Sequence, residues 1–227
     1  MNDNCLVVFS GGLDSTVCLF DAKIKYKNVH TVTFYYGQKH SVEIESAKNI
    51  SEIAEVSSHS VVDVSGCLQS VCEGDTNFTP MRNTLFITIA ANMAAKIGCC
   101  DIMLGVCQTD YTNYPDCRGD FIESIEDTIN KSLGYSAEHR INIQTPLINM
   151  QKFEIIKHAE KIGCLNFLEH SHTSYDGEYP PVNRNEANII REKGFLDAGL
   201  PDPLVVKAWK EGLMVLPQTD NYSLFRS

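Results

Sequence analysis

A chain of 227 residues, 43% of them hydrophobic, is long enough for one domain, alone or with a small appendage. Its formal net charge of −10 argues against sequence-independent binding to nucleic acid, which needs clustered lysine and arginine. The nine cysteines are scattered, and the sequence has neither a signal-peptide pattern nor an apolar run of membrane length. We therefore expect a cytoplasmic protein with reduced thiols, no membrane association and no direct nucleic-acid partner.

The apolar run from Leu6 to Phe9 is typical of a buried strand and leads straight into a glycine-rich stretch. We call residues 9–15 the phosphate loop; they are Phe9, Ser10, Gly11, Gly12, Leu13, Asp14 and Ser15. The glycines let backbone N–H groups approach an anion, the serines add hydroxyls, and the helix that follows adds the partial positive charge of its N-terminus. The loop lacks both the Gly-Lys-Ser/Thr ending of a Walker A motif and the third glycine of a dinucleotide fingerprint. It resembles the PP-loop of ATP pyrophosphatases, which cleave ATP between the α and β phosphates.

Four more strands alternate with helices after the first helix. The predicted strands cover residues 29–34, 59–64, 101–106 and 142–145, and the predicted helices cover 42–54, 84–97, 121–133 and 153–162. Alternation of this kind implies parallel βαβ units with right-handed crossovers. We predict an α/β fold with a mostly parallel five-strand sheet between helices.

The alternation stops beyond Leu165. A polar segment with Pro180-Pro181 follows, then a short helix predicted to end at Lys193-Gly194 and another near residues 205–210. We predict a PP-loop α/β domain at residues 1–168 and a C-terminal extension at 169–227 packed on it.

Polar and aromatic loops follow several of the predicted strands and should share a crevice with the phosphate loop, because ligands of open α/β sheets bind beyond the carboxyl ends of the strands. These motifs are Tyr36-Gly37-Gln38-Lys39-His40, Arg82-Asn83, the stretch from Gly105 to Arg118, and Thr145-Pro146-Leu147 with Lys152. Together with the phosphate loop, in this order and spacing, they resemble the 7-cyano-7-deazaguanine synthase (QueC) family. The resemblance runs from about Leu6 to Pro203 and implies a fold of the adenine nucleotide α hydrolase type.

The resemblance also implies a reaction. Family members convert 7-carboxy-7-deazaguanine to its amide and then to its nitrile, preQ0, with ATP and ammonia, on the way to queuosine. ATP with Mg²⁺ is therefore the expected cofactor. The phosphate loop and Arg82 would hold ATP, and Ser10, Asp14, Ser15 and Lys152 would act on the leaving pyrophosphate. The chain has no glutaminase-like cysteine arrangement, so ammonia would come from solution.

The expected substrate accounts for the polar and aromatic candidates. A purine-like base with a 2-amino group and a ring N–H needs carboxylate acceptors and aromatic faces, and a substrate carboxylate needs a cation. The substrate-binding candidates are Tyr36, Gln38, Asn83, Asp110, Tyr111, Tyr114, Asp116 and Arg118. The alternative for the charged residues is a surface charge or a structural cap, and for Tyr111 a place in the core.

The chain departs from the family at its zinc-binding cysteines. Their positions are occupied by Ser174, Val182, Asn185 and Asn188, none of which supplies a thiolate, so we expect no zinc. Met81 also replaces a usual glycine, and the loop after Val64 is shorter than in the family.

These departures leave several functions open. The first is a nitrile-forming synthase without its metal, and the second is an enzyme like the QueC-like proteins of anti-phage operons, which passes the activated deazaguanine to an amine of a protein. The third is a non-catalytic deazaguanine or nucleotide sensor, which the retained phosphate loop and Lys152 disfavour. A tRNA thiolase is disfavoured by the charge. Two further questions stay open: which amine is the acceptor and whether the protein forms a homodimer.

Overall fold

The computed structural model describes residues 3–37, 42–68, 79–107, 114–134, 140–172, 178–182 and 185–226. Its single sheet has five strands, all parallel, in the order β3-β2-β1-β4-β5. The strands are β1 (Asn4–Val8), β2 (Asn28–Tyr35), β3 (Ser58–Asp63), β4 (Asp101–Leu104) and β5 (Asn142–Gln144). The α/β fold expected from the sequence is confirmed.

Seven α-helices lie in the described ranges, and together they cover both faces of the sheet. They are α1 (Leu13–Lys25), α2 (Val42–Ile53), α3 (Arg82–Lys96), α4 (Gly119–Leu133), α5 (Lys152–Lys161), α6 (Glu186–Ala198) and α7 (Pro203–Lys210). One apolar core contains Val17, Ile50 and Ile155, from α1, α2 and α5, whereas the other contains Ile87 and Ile125, from α3 and α4. None of the helices so described is long and apolar enough to cross a membrane.

Strand β1 lies in the middle of the sheet, which explains its uninterrupted apolar sequence. Cys5 pairs with Val29 of β2 on one side and with Asp101 of β4 on the other. Cys5, Leu6 and Val7 are at most 1% exposed because helices cover both faces of the strand. The chain runs outward from β1 to β2 and β3, then crosses back to β4. The loops after β1 and β4 therefore leave the sheet at its topological switch point, where α/β proteins bind ligands.

Helix α6 differs from its prediction. The expected end at Lys193-Gly194 is wrong, because the helix continues to Ala198 and is closed by Gly199 in the left-handed conformation, with φ 72°. Phe195, just past the predicted end, is fully buried in the same core as Val17 and Ile155. Tertiary packing of this helix thus overrides the local signal of Gly194. The other boundaries shift by smaller steps; α3, for example, begins at Arg82 rather than Thr84.

A buried ion pair anchors α6. The Arg191 guanidinium donates from Nε to Asp202 Oδ2 at 2.6 Å and from Nη2 to Asp202 Oδ1 at 2.8 Å, and both side chains are 3% exposed. Arg191 also donates to Ser171 Oγ at 2.9 Å and to the Leu168 carbonyl at 3.0 Å. Asp202 in turn caps α7 by accepting from the Leu204 N–H at 2.9 Å. The two C-terminal helices and the segment before them are therefore joined at one polar centre.

Candidate active site

The phosphate loop joins β1 to α1, with Gly12 at the N-cap position of the helix. The Ser10 and Ser15 hydroxyls lie 3.0 Å apart, and Ser15 Oγ and Thr16 Oγ1 donate to the Gly12 carbonyl at 3.0 and 2.8 Å. Ser10 Oγ also accepts from the Gly12 N–H at 3.3 Å. These bonds hold two hydroxyls at the N-terminus of a helix, where the backbone N–H groups and the helix dipole attract anions.

Two glycines in this region are required by space. A Cβ on Gly11 would lie 2.7 Å from the Ala47 backbone nitrogen in α2, and Gly11 has a φ of 81°. A Cβ on Gly105 would lie 2.9 Å from the Cα of Ser15. Helix α2 and the end of β4 therefore press directly against the phosphate loop, and a side chain at either glycine would push them apart.

Lys152 reaches the phosphate loop from the start of α5. Its Nζ donates to both carboxylate oxygens of Asp14 at 2.7 Å, and the residue is 8% exposed. A capping box fixes the start of α5, since the Glu154 carboxylate accepts from the Gln151 N–H at 2.8 Å. The geometry thus places the Lys152 ammonium group beside the N-terminal end of α1.

A cavity of about 270 Å³ opens beside the loop. The predicted residues on its wall are Phe9, Ser10, Gly12, Leu13, Asp14, Ser15, Tyr36, Arg82, Asn83, Tyr114 and Lys152. The structure therefore brings most of the predicted site together at the switch point. Gln38, Asp110, Tyr111 and Ser174 lie outside the described residues.

One wall of the cavity combines aromatic rings with charge. Arg82 lies over the Tyr36 ring, with its Cζ 5.4 Å from the ring centroid, and donates to the Tyr36 hydroxyl at 3.4 Å. Phe86 stacks on Phe34 at 4.3 Å and packs against Tyr36 at 5.7 Å. Burial raises the pKa of Glu43, and the nearby Arg82 partly offsets this shift. The wall offers flat apolar faces next to one guanidinium and one carboxyl group.

Asn83 and Asp116 bind each other at the start of α3. The Asn83 N–H donates to Asp116 Oδ2 at 3.3 Å, and Asn83 Nδ2 donates to the Asp116 carbonyl at 3.1 Å. Asp116 thereby caps α3 and ties it to the short 3-10 helix Pro115–Cys117. Neither Asp116 nor Arg118, the N-cap residue of α4, is among the described residues that line the cavity. For Asp116 the geometry matches the structural-cap alternative considered from the sequence.

Three ionisable residues on the cavity wall were not predicted from the sequence: Glu43, His172 and Arg191. The His172 N–H donates to the Gly11 carbonyl at 3.0 Å, so the segment after α5 touches the phosphate loop itself. Glu43 is the second residue of α2, where an acidic side chain is common, so nothing in the sequence marks it as a site residue. Arg191 is one of five charged residues in α6, whose apolar residues follow no clear helical period, and no sequence signal marks it.

The cavity thiols are poor nucleophiles. Burial, reinforced by Asp116, raises the pKa of Cys117 to about 11. Cys107 is 1% exposed and its thiol donates to the Met150 carbonyl at 2.9 Å. A reactive cysteine needs a lowered pKa and access, so these residues do not suit a sulfur-transfer role.

The described positions of the family's zinc cysteines do not fit zinc. Val182 is 58% exposed and has no donor atom, and the Asn185 side chain is used to cap α6 by accepting from the Asn188 N–H at 2.9 Å. Among the residues that the structure describes, no three His, Cys, Asp or Glu side chains are grouped to hold a metal ion. Structural zinc is bound by thiolate and imidazole, which this donor set lacks.

Comparison with known proteins identifies close relatives. A family model described as "Queuosine biosynthesis protein QueC" matches residues 4–73 and 69–199. A 7-cyano-7-deazaguanine synthase of Chromobacterium violaceum is 36% identical over 229 residues, covering 92% of this chain and 96% of the relative.

Solved structures match the fold at low identity. The U34-tRNA thiolase NcsA from Methanococcus maripaludis, solved with its [4Fe-4S] cluster, gives a TM-score of 0.51 at 14% identity, covering 95% of this chain and 73% of the thiolase. A 4-thiouridine synthetase, solved with RNA and bound ATP, gives a TM-score of 0.53 at 18% identity, covering 93% of this chain and 53% of the synthetase. At these identities the likeness concerns the fold.

Proposed function

The chain belongs to the QueC family of queuosine biosynthesis proteins, and on that premise we propose that it adenylates the carboxylate of 7-carboxy-7-deazaguanine and transfers the activated acyl group to an amine. It is an ATP-dependent ligase-type enzyme with a PP-loop fold. The observation that carries the proposal is the phosphate loop, with the Lys152 ammonium 2.7 Å from Asp14 at the switch-point cavity.

We assign the ATP phosphates to the phosphate loop. The N-terminus of α1, the Ser10 and Ser15 hydroxyls and Lys152 together would stabilise the charge that develops on the leaving pyrophosphate. Mg²⁺ enters with ATP as part of the substrate. Zinc has no place in the proposed reaction.

We assign the base to the aromatic part of the cavity. Tyr36, Phe86 and Tyr114 would supply stacking faces, and Arg82 would pair with the substrate carboxylate or with the phosphates. The guanine-like edge carries two kinds of N–H donor and needs a carboxylate acceptor. Because Asp116 is bound to Asn83, we propose Asp110 for this role and add Glu43 on the cavity wall. We also propose that the substrate contacts Gln38, Tyr111 and Arg118.

The reaction needs no protein nucleophile. A carboxylate oxygen of the substrate attacks the α-phosphorus of ATP, the bond to the bridging oxygen breaks, and pyrophosphate leaves. The amine then attacks the acyl carbon and AMP departs, which gives an amide. With ammonia as the amine, a second ATP activates the amide oxygen, and loss of that oxygen with AMP and of two protons gives the nitrile.

Substitution of the loop serine tests this proposal. Ser10→Ala removes a hydroxyl donor at the pyrophosphate and should lower substrate-dependent release of pyrophosphate and AMP by about 10²–10³-fold. Ser124→Ala, which removes a hydroxyl from the exposed face of α4, is the matched control and should keep full activity. Asp14→Ala is a less specific test, because it removes the carboxylate that pairs with the buried Lys152 ammonium. A folded Ser10→Ala protein with unchanged turnover would contradict the proposed role of the loop.

A protein amine is the second candidate acceptor. It is favoured by the changed C-terminal segment, in which Val182 stands exposed where the family has a zinc cysteine. Reactions with ATP, Mg²⁺ and 7-carboxy-7-deazaguanine, with ammonium alone or with proteins encoded by neighbouring genes added, separate the candidates by mass spectrometry. Nitrile without a protein adduct would exclude conjugation, and a protein that carries a deazaguanine amide would exclude the simple synthase. If neither reaction consumes ATP, the non-catalytic sensor is the candidate function that remains.

A further inference from the structure

Gly194 lies in the middle of α6, where its bare backbone meets the first turn of α5. A Cβ at this position would lie 2.4 Å from Lys152 Cγ, 3.1 Å from Lys152 Cβ and 3.0 Å from Ile156 Cδ1. The φ of Gly194 is not in the left-handed range, unlike that of Gly199 at the helix end. This glycine is therefore required by the space that Lys152 occupies and not by the backbone conformation.

The contact concerns the stem of the lysine that reaches the phosphate loop. Lys152 is 8% exposed, and its Nζ lies 2.7 Å from both carboxylate oxygens of Asp14. The four-carbon stem of a lysine is flexible, so its ammonium group has a defined position only if packing restricts rotation about the bonds of the stem. The Gly194 backbone forms a wall against which this stem packs.

Helix α6 is held firmly enough to act as such a wall. One turn before Gly194, Arg191 makes its bonds to Asp202, Ser171 and Leu168. One residue after it, Phe195 is fully buried in the core that also contains Ile156. The position of Gly194 relative to α5 is thus fixed on both sides.

We infer that Gly194 is a positioning residue that sets the rotamer of Lys152 and so places its ammonium at the pyrophosphate site. The inference rests on the proposed role of Lys152. It makes a residue of the C-terminal segment part of the machinery for adenylation. A methyl group at Gly194 must displace the lysine stem, and a displacement of about 1 Å at a reacting group can cost on the order of 10² in rate.

The test is Gly194→Ala in the full chain. It should lower kcat for pyrophosphate release by about 10–10²-fold and leave KM for ATP within about twofold, because the lysine acts on the leaving group rather than on ATP binding. Gly119→Ala adds the same methyl group at the start of α4, where the nearest atom, Ile148 Cδ1, is 4.0 Å away. This control should show unchanged kinetics.

Repeating the substitution in Lys152→Ala protein separates positioning from a general packing defect. In that background Gly194→Ala should no longer lower the residual rate, and it should shift the urea midpoint less than it does beside Lys152, because the clashing Cγ is gone. The urea measurement needs no activity, so it tests the contact between Gly194 and Lys152 separately from the proposed reaction. Unfolding of Gly194→Ala alone, with a folded double variant, would also support it. Wild-type kcat in Gly194→Ala, equal losses in both backgrounds, or unfolding of both variants would overturn it.

Discussion

Met81 adopts a backbone conformation that suits glycine. It is the N-cap residue of α3, with φ 61° and ψ 13°, and its side chain is 68% exposed. A left-handed non-glycine residue costs about 1–2 kcal/mol, while glycine costs about 0.5–1 kcal/mol in backbone entropy. Met81→Gly should therefore raise the free energy of unfolding by about 0.5–1 kcal/mol, measured by urea denaturation.

Met81→Ala is the control for this prediction. It removes the same exposed side chain but keeps the Cβ, so it should give no comparable gain. An equal gain from alanine would locate the effect in the methionine side chain and contradict the argument from backbone strain.

At the scale of elements, the pair Arg191–Asp202 should carry the attachment of α6 to α7. Asp202→Ala removes the carboxylate that pairs with a buried guanidinium and also removes the cap of α7, so we expect a loss of about 3–5 kcal/mol in unfolding free energy. The matched control is Asp127→Ala, because Asp127 pairs with Lys131 at 2.6 Å on the exposed surface of α4. Its loss should stay within about 0.5 kcal/mol. Similar losses from the two variants would contradict the central role of the buried pair.

The sequence allows the elements around the phosphate loop to be predicted because their signals are local. The apolar run of β1, the two loop glycines and the start of α1 lie within twenty residues and need no partner to be recognised. Helix α6 could not be delimited in this way, because Gly194 looks like a helix end and only its contact with Lys152 explains it. The role of Asp116 could not be predicted for the same reason, because it accepts a hydrogen bond from the N–H of Asn83, which lies 33 residues away in the chain.

At the scale of the whole molecule, we expect the negative net charge to prevent binding of nucleic acid. The formal net charge is −10, while Arg82, Lys152 and Arg191 line a cavity rather than an open surface. Phosphate-backbone binding needs several exposed cations, so labelled tRNA should show no change in fluorescence anisotropy even at about 50 mM salt, where such binding is strong. Polylysine with the same tRNA is the positive control. Saturable, salt-sensitive binding by the protein would contradict the prediction.

The crevice is built from parts of the chain that the ribosome makes far apart in time. The phosphate loop is synthesised well before the other residues: Lys152 follows Asp14 by 138 residues, and Gly194, which packs against its stem, comes later still. A nascent chain with the first four strands therefore carries the anion-binding loop but lacks the lysine proposed to act on the leaving pyrophosphate. Under the proposed function, translation products that stop before α5 lack Lys152 and therefore neither consume ATP efficiently nor release a reactive acyl adenylate into the cell.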